Sequence, residues 1–153
     1  MILIRKILLI LTAFLALANA DGFDKKATTE MAFYEQILSE LKTEQIPQFI
    51  ERIASLNLPR RIDEITTISS LDANGLNINA IFSLNDIKTR QISKFNSKQL
   101  EALKSEFKSN GKKFLCKESV SIALLNRGIV LFGSYHLDGR HLFDIKMDKS
   151  SCE

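Results

Sequence analysis

The stretch "GIVLFGSYHLDGRHLFDIKM", residues 128–147, holds the strongest local constraint on how this chain folds. Asp138-Gly139 favours a two-residue type I′ turn, whose central positions both need positive φ, and alternating apolar residues flank it. With a two-residue loop, Leu137 pairs with Arg140, His136 with His141, Tyr135 with Leu142, Ser134 with Phe143, Phe132 with Ile145 and Val130 with Met147. Because side chains alternate along a strand, Val130, Phe132, Ser134 and His136 then share a face with His141, Phe143, Ile145 and Met147. The opposite face carries Leu131, Tyr135, Leu137 and Leu142 among Arg140, Asp144 and Lys146. That is more apolar than a solvated face requires, so either a helix covers it or those four residues are an interaction surface. Gly133, opposite Asp144 in this register, implies a bulge, a close helix crossing or the approach of a partner's backbone.

The turn itself groups His136, Asp138, Gly139 and His141, and the chain has no other histidine. Two facing imidazoles begin a metal site but do not complete one, because structural zinc takes four protein ligands and catalytic zinc three. In this register Asp144 points away from them. As an acid/base pair they need an aligned nucleophile, and no G-x-S-x-G elbow is present. The sequence therefore predicts no metal, no cofactor, no catalytic residue and no enzyme.

An earlier hairpin precedes this one. Residues 61–71 are rich in β-branched side chains, residues 76–84 alternate with Leu76, Ile78, Ala80, Phe82 and Leu84 on one face, and Asn74-Gly75 supplies the turn. Asn77, Asn79 and Ser83 then face solvent or a partner. Helical spacing of Met31, Tyr34, Ile37, Leu38 and Leu41 predicts a helix over 28–41. Pro47 opens a second stripe as far as Leu56, as a short helix or a kinked continuation of the first. Residues 85–95 read as a loop, with a short edge strand through Gln91–Phe95. Asn96 or Ser97 caps a helix with Leu100, Leu103 and Phe107 inward and Asn110-Gly111 as its stop. A short helix over 118–127, ended by Gly128, leads into the second hairpin. The class that follows is α+β: N-terminal helices, and two hairpins forming one antiparallel sheet of about four strands, with the helices between them packed on one face.

The start of the chain points to export. Arg5 and Lys6 precede an uncharged run from Ile7 to Ala18, and Ala18-Asn19-Ala20 forms a small-x-small cleavage site. The 12-residue run spans only about 18 Å as a helix, short of a hydrocarbon core of about 30 Å. Residues 1–20 are expected to be a signal peptide and 21–153 a single domain, with no stable membrane span after cleavage. The formal charge is +3, of which Arg5 and Lys6 supply two, leaving +1 on the mature chain. Nucleic acid needs a concentrated basic field that this surface lacks.

Cys116 and Cys152 are the only cysteines, and in an exported chain an even pair forms a disulfide. Closing a loop of this length stabilises the fold by about 3.5–4 kcal/mol on the chain-entropy account. The spacing is not that of a C-x-x-C redox pair.

The tail "LCKESVSIALLNRGIVLFGSYHLDGRHLFDIKMDKSSC" resembles the end of small, uncharacterised disulfide-bonded periplasmic proteins of Gram-negative bacteria. In these a cysteine precedes a short helix, a glycine opens a strand with an aromatic near its end, a D-G turn follows, and a second cysteine closes the hairpin. Cys116, Gly128, Tyr135, Asp138, Gly139 and Cys152 occupy those places. The resemblance implies the disulfide and the periplasm, and brings no catalytic residue or ligand. The reading is a non-catalytic exported binding or accessory protein, periplasmic or secreted, whose partner is another envelope or secreted protein. A small secreted inhibitor or immunity-type protein is the alternative.

Overall fold

Caps set the starts of the helices where the sequence places them. The computed structural model describes residues 36–153. The expected signal peptide and residues 28–35 of the first predicted helix lie outside the described residues, and the rest of that helix is helical over 36–40. Helix α1, Ile46–Ser55, carries Pro47 in its first turn, where the missing N–H has no partner to lose, and buries Ile46, Pro47, Ile50 and Ala54. Helix α2, Ser97–Leu115, starts at a reciprocal cap: Gln99 N–H donates to Asn96 Oδ1 and Asn96 N–H to Gln99 Oε1, both at 2.9 Å.

Asn110-Gly111 does not end α2, contrary to the sequence reading. Leu103, Phe107, Gly111 and Leu115 recur every four residues on the buried side, so the last turn is anchored in the core. Lys112 and Lys113 in that turn complement the helix dipole. Helix α3, Ser119–Asn126, is capped by the Glu118 carboxylate, which accepts from Val120 N–H at 3.2 Å and Ser121 N–H at 2.7 Å. Its end follows the sequence expectation. Gly128 sits at φ +81°, its N–H bonds Leu125 O, and Ile129 N–H reaches back to Leu124 O.

The strands are β1 (Arg60–Arg61), β2 (Thr66–Asn74), β3 (Asn77–Leu84), β4 (Val130–Leu137) and β5 (Arg140–Met147). They form one sheet in the order β1-β2-β3-β4-β5. The two hairpins join through β3 and β4, which run parallel, while every other pair is antiparallel. The sheet is thus five-stranded and mostly antiparallel. The parallel join follows from the crossover of α2 and α3, which carries the chain back to the end of the sheet from which β3 started. Leu76 is 36 % exposed in the β2–β3 turn, so only Ile78, Ala80, Phe82 and Leu84 of its expected face are buried.

The predicted edge strand at 91–95 is absent: Ile92–Lys94 is a 3-10 turn with Ile92 fully buried. The Asp86 carboxylate holds it in place, accepting from both the backbone N–H and the hydroxyl of Ser93. Helices α1 and α2 cover one face of the sheet, and the core lies between the two layers, with Ile68, Phe82, Leu103 and Leu125 at its centre.

Candidate functional site

The second hairpin turns at Asp138 (φ 50°) and Gly139 (φ 76°), the type I′ geometry that Asp-Gly favours. Leu137 pairs with Arg140 and His136 with His141, as the turn dictates. Beyond them a bulge at Leu142 shifts the register by one, so that Tyr135 meets Phe143, Ser134 meets Asp144 and Gly133 meets Ile145. That single residue exchanges the faces of β5 relative to β4.

The physical reason lies in the odd-numbered positions of both strands. Leu131, Tyr135 and Leu137 on β4 and Phe143, Ile145 and Met147 on β5 are the better core residues, and an unbroken two-residue hairpin puts them on opposite faces. The bulge lets all six be buried together. The proposed interaction surface is corrected accordingly: Leu131, Tyr135 and Leu137 are buried under the helical layer, and Leu142 is the half-buried bulge residue.

Tyr135 is the hub of this packing. Its ring stacks on Phe82 at 4.6 Å and on Phe143 at 5.0 Å, and Phe107 of α2 meets it at 5.3 Å. Burial pushes its phenol far above the usual tyrosine range, with a further push from Asp63. Gly133 makes room for these rings: a Cβ there would lie 3.0 Å from Phe82 Cε2 and 3.1 Å from Tyr135 Cε2. Its oddity is therefore internal packing.

The other face of the sheet is left open by the described residues. Across its centre run Asp72, Asn79, Phe132 and Lys146, then Ser70, Ile81, Ser134 and Asp144. Ser83, His136 and His141 follow towards the turn. Ile81 is 42 % exposed, and Phe132 and Val130 are half-buried. Asn77, Asn79 and Ser83 lie here as the alternation predicted, with Ser83 hydrogen-bonded to Ser69 at 2.6 Å.

The bulge also overturns the sequence placement of Asp144, which joins the histidines on this face. His141 Nε2 bonds Asp144 Oδ1 at 2.9 Å, His136 Nε2 meets Ser134 Oγ at 3.0 Å, and the two rings stand edge to face at 5.4 Å. Partial burial works to raise the Asp144 carboxyl, but hydrogen bonds from His141 and Ser134 outweigh it and hold the group below the usual carboxylate range.

This cluster is not a catalytic triad. The serine meets one imidazole while the carboxylate orients the other, so no single base is both held by an acid and aimed at a nucleophile. Ser134 shares the histidine face in the unbroken register too, but Asp144 was illegible as a member of the site because no turn rule places a bulge. The competing odd-numbered apolar runs on the two strands were the available signal.

The sulfurs of Cys116 and Cys152 are joined, tying the C-cap of α2 to a closing 3-10 turn, Lys149–Cys152. Asp148 caps that turn: its carboxylate accepts from Ser150 at 2.6 Å and pairs with Lys146 at 2.9 Å. These contacts, Ser150 first, bring its pKa down to about 2. Among the described residues no helix is long and apolar enough to cross a membrane, and no group of three metal-capable side chains forms a centre.

No protein family and no curated protein sequence matches the chain. The fold itself is found in solved structures of proteins connected with export. A protein of Pseudomonas aeruginosa described as secreted is 17 % identical with a TM-score of 0.57, the match covering 72 % of this chain and 93 % of that one. The pilotin EpsS of the Vibrio vulnificus type 2 secretion system is 15 % identical with a TM-score of 0.57, covering 72 % and 92 %. The type II secretion system pilotin AspS of Vibrio cholerae is 17 % identical with a TM-score of 0.53, covering 79 % and 99 %. At these identities the likeness establishes a shared fold over most of each chain and transfers no residue role.

Proposed function

We propose that this chain is a non-catalytic accessory protein, exported to the periplasm, that acts by binding another protein of the cell envelope. The observation that carries the reading is the fold, shared over nearly the whole length of two secretion-system pilotins and a protein described as secreted. Three features support it: the signal-peptide pattern of residues 1–20, a disulfide of the kind that persists in oxidising compartments, and a tail resembling disulfide-bonded periplasmic proteins. The open sheet face is the surface assigned to the partner, because Ile81 and Phe132 offer apolar area within a field of amides and hydroxyls.

The test is native mass spectrometry of the protein isolated gently from its own cell envelope. A stoichiometric complex with another envelope protein is expected, and Ile81→Asp should abolish it while leaving the far-UV spectrum unchanged. A bare oxidised monomer under every isolation condition would overturn the proposal. A complex that survives Ile81→Asp would remove the open face as the binding surface.

A further inference from the structure

We propose that His136 and His141 together chelate a late first-row divalent metal ion, Cu2+ foremost, at the turn end of the open sheet face. Three observations converge on this. The imidazoles sit directly opposite each other on adjacent strands, with centroids 5.4 Å apart and planes at 76°. A metal at about 2.0–2.1 Å from one nitrogen of each ring holds the two centroids about 4.5–5.5 Å apart, so the rings already stand at chelating separation.

Each ring also has its outer partner in place. A metal-bound imidazole normally keeps its second nitrogen in a hydrogen bond to a carboxylate or other oxygen, which fixes the tautomer and the ring orientation. Here Asp144 Oδ1 lies 2.9 Å from His141 Nε2, and Ser134 Oγ lies 3.0 Å from His136 Nε2. With Nε2 of His141 donating to Asp144 and Nε2 of His136 donating to the Ser134 hydroxyl, the lone pair on each ring stays at Nδ1, the nitrogen offered to the metal.

The site is also accessible, since the His141 side chain is 50 % exposed. Two protein ligands leave the remaining coordination positions to water or to a ligand brought from outside, so the ion exchanges freely. Imidazole pairs of this kind favour Cu2+ over Ni2+ and Zn2+ by the general affinity order of these ions. Asp144 is a positioning residue, acting on the metal through His141.

Isothermal titration of the oxidised mature protein with Cu2+, Ni2+ and Zn2+ in turn, in a buffer that does not bind metal, tests the proposal. One equivalent of Cu2+ is expected, with electron paramagnetic resonance showing two coordinated nitrogens. His136→Ala and His141→Ala should each weaken binding at least tenfold, because either change breaks the chelate and leaves one imidazole, and the double variant, which keeps neither, should bind no stoichiometric Cu2+. Asp144→Asn should lower affinity about tenfold while the two-nitrogen signature stays. Binding that persists in the double variant, or single variants within twofold of the parent, would overturn the proposal. Circular dichroism confirms that each variant is folded.

Discussion

Gly111 of α2 and Gly133 of β4 line the same small void between helix and sheet, about 20 Å³, together with Phe107, Leu115, Tyr135, Ile145 and Met147. Their substitution by alanine should have opposite effects. At Gly111 the backbone is helical, and replacing glycine by alanine within a helix gains about 1 kcal/mol. Gly111→Ala should therefore stabilise by about 1 kcal/mol, raising Tm by several degrees.

At Gly133 the new Cβ would stand 3.0 Å from Phe82 and 3.1 Å from Tyr135, in the middle of a close ring stack. Overpacking of this kind costs about 1–3 kcal/mol, against a gain of about 0.5–1 kcal/mol for removing a strand glycine, so a net loss remains. Urea denaturation of the oxidised protein, followed by circular dichroism with a common slope for all variants, measures both. If Gly111→Ala destabilises as Gly133→Ala does, the helix is pressed against the sheet at that point, and the gain expected from helix propensity is refuted.

Replacing Cys116 and Cys152 together by serine should lower unfolding free energy by about 4 kcal/mol, read from the shift in urea midpoint, because a separation of 36 residues is released in the unfolded chain. Glu118→Ala removes the acceptor for two N–H groups at the start of α3 and should cost about 1 kcal/mol by the same assay. Asp148 should titrate near pH 2 by carboxyl NMR, and Ser150→Ala should move that midpoint upward. Its folded pKa is depressed, so the cap on the closing turn is fully present above the unfolded value near 4 and is lost as pH falls through about 2.

Signals that act within a few residues were legible in the sequence. Asp138-Gly139 set its own turn and the His136–His141 pair, Asn96 capped α2, Gly128 ended α3, and the paired cysteines formed their bond. Misreadings arose where distant parts of the fold decide. Asn110-Gly111 looks like a helix stop, but Leu115 needs another turn of helix to reach the core. Gln91–Phe95 looks like a strand, but Asp86 folds it onto itself through Ser93. The Leu142 bulge depends on which residues the helices cover, and that settled both the burial of Tyr135 and the placing of Asp144 beside the histidines. Nothing local to either hairpin states that β3 and β4 lie side by side.

That parallel pairing governs the order in which the molecule can assemble. Each hairpin closes over a turn of two residues, whereas Asn77 meets Val130 only after 53 positions of chain have been gathered in. The loop-closure cost of the middle of the sheet is met before its contacts reward it, so the two hairpins form first and their docking sets the folding rate. The bond between Cys116 and Cys152 encloses β4 and β5 but not β3, and so leaves the length of that rate-setting closure little changed. Oxidation should slow unfolding far more than it speeds folding.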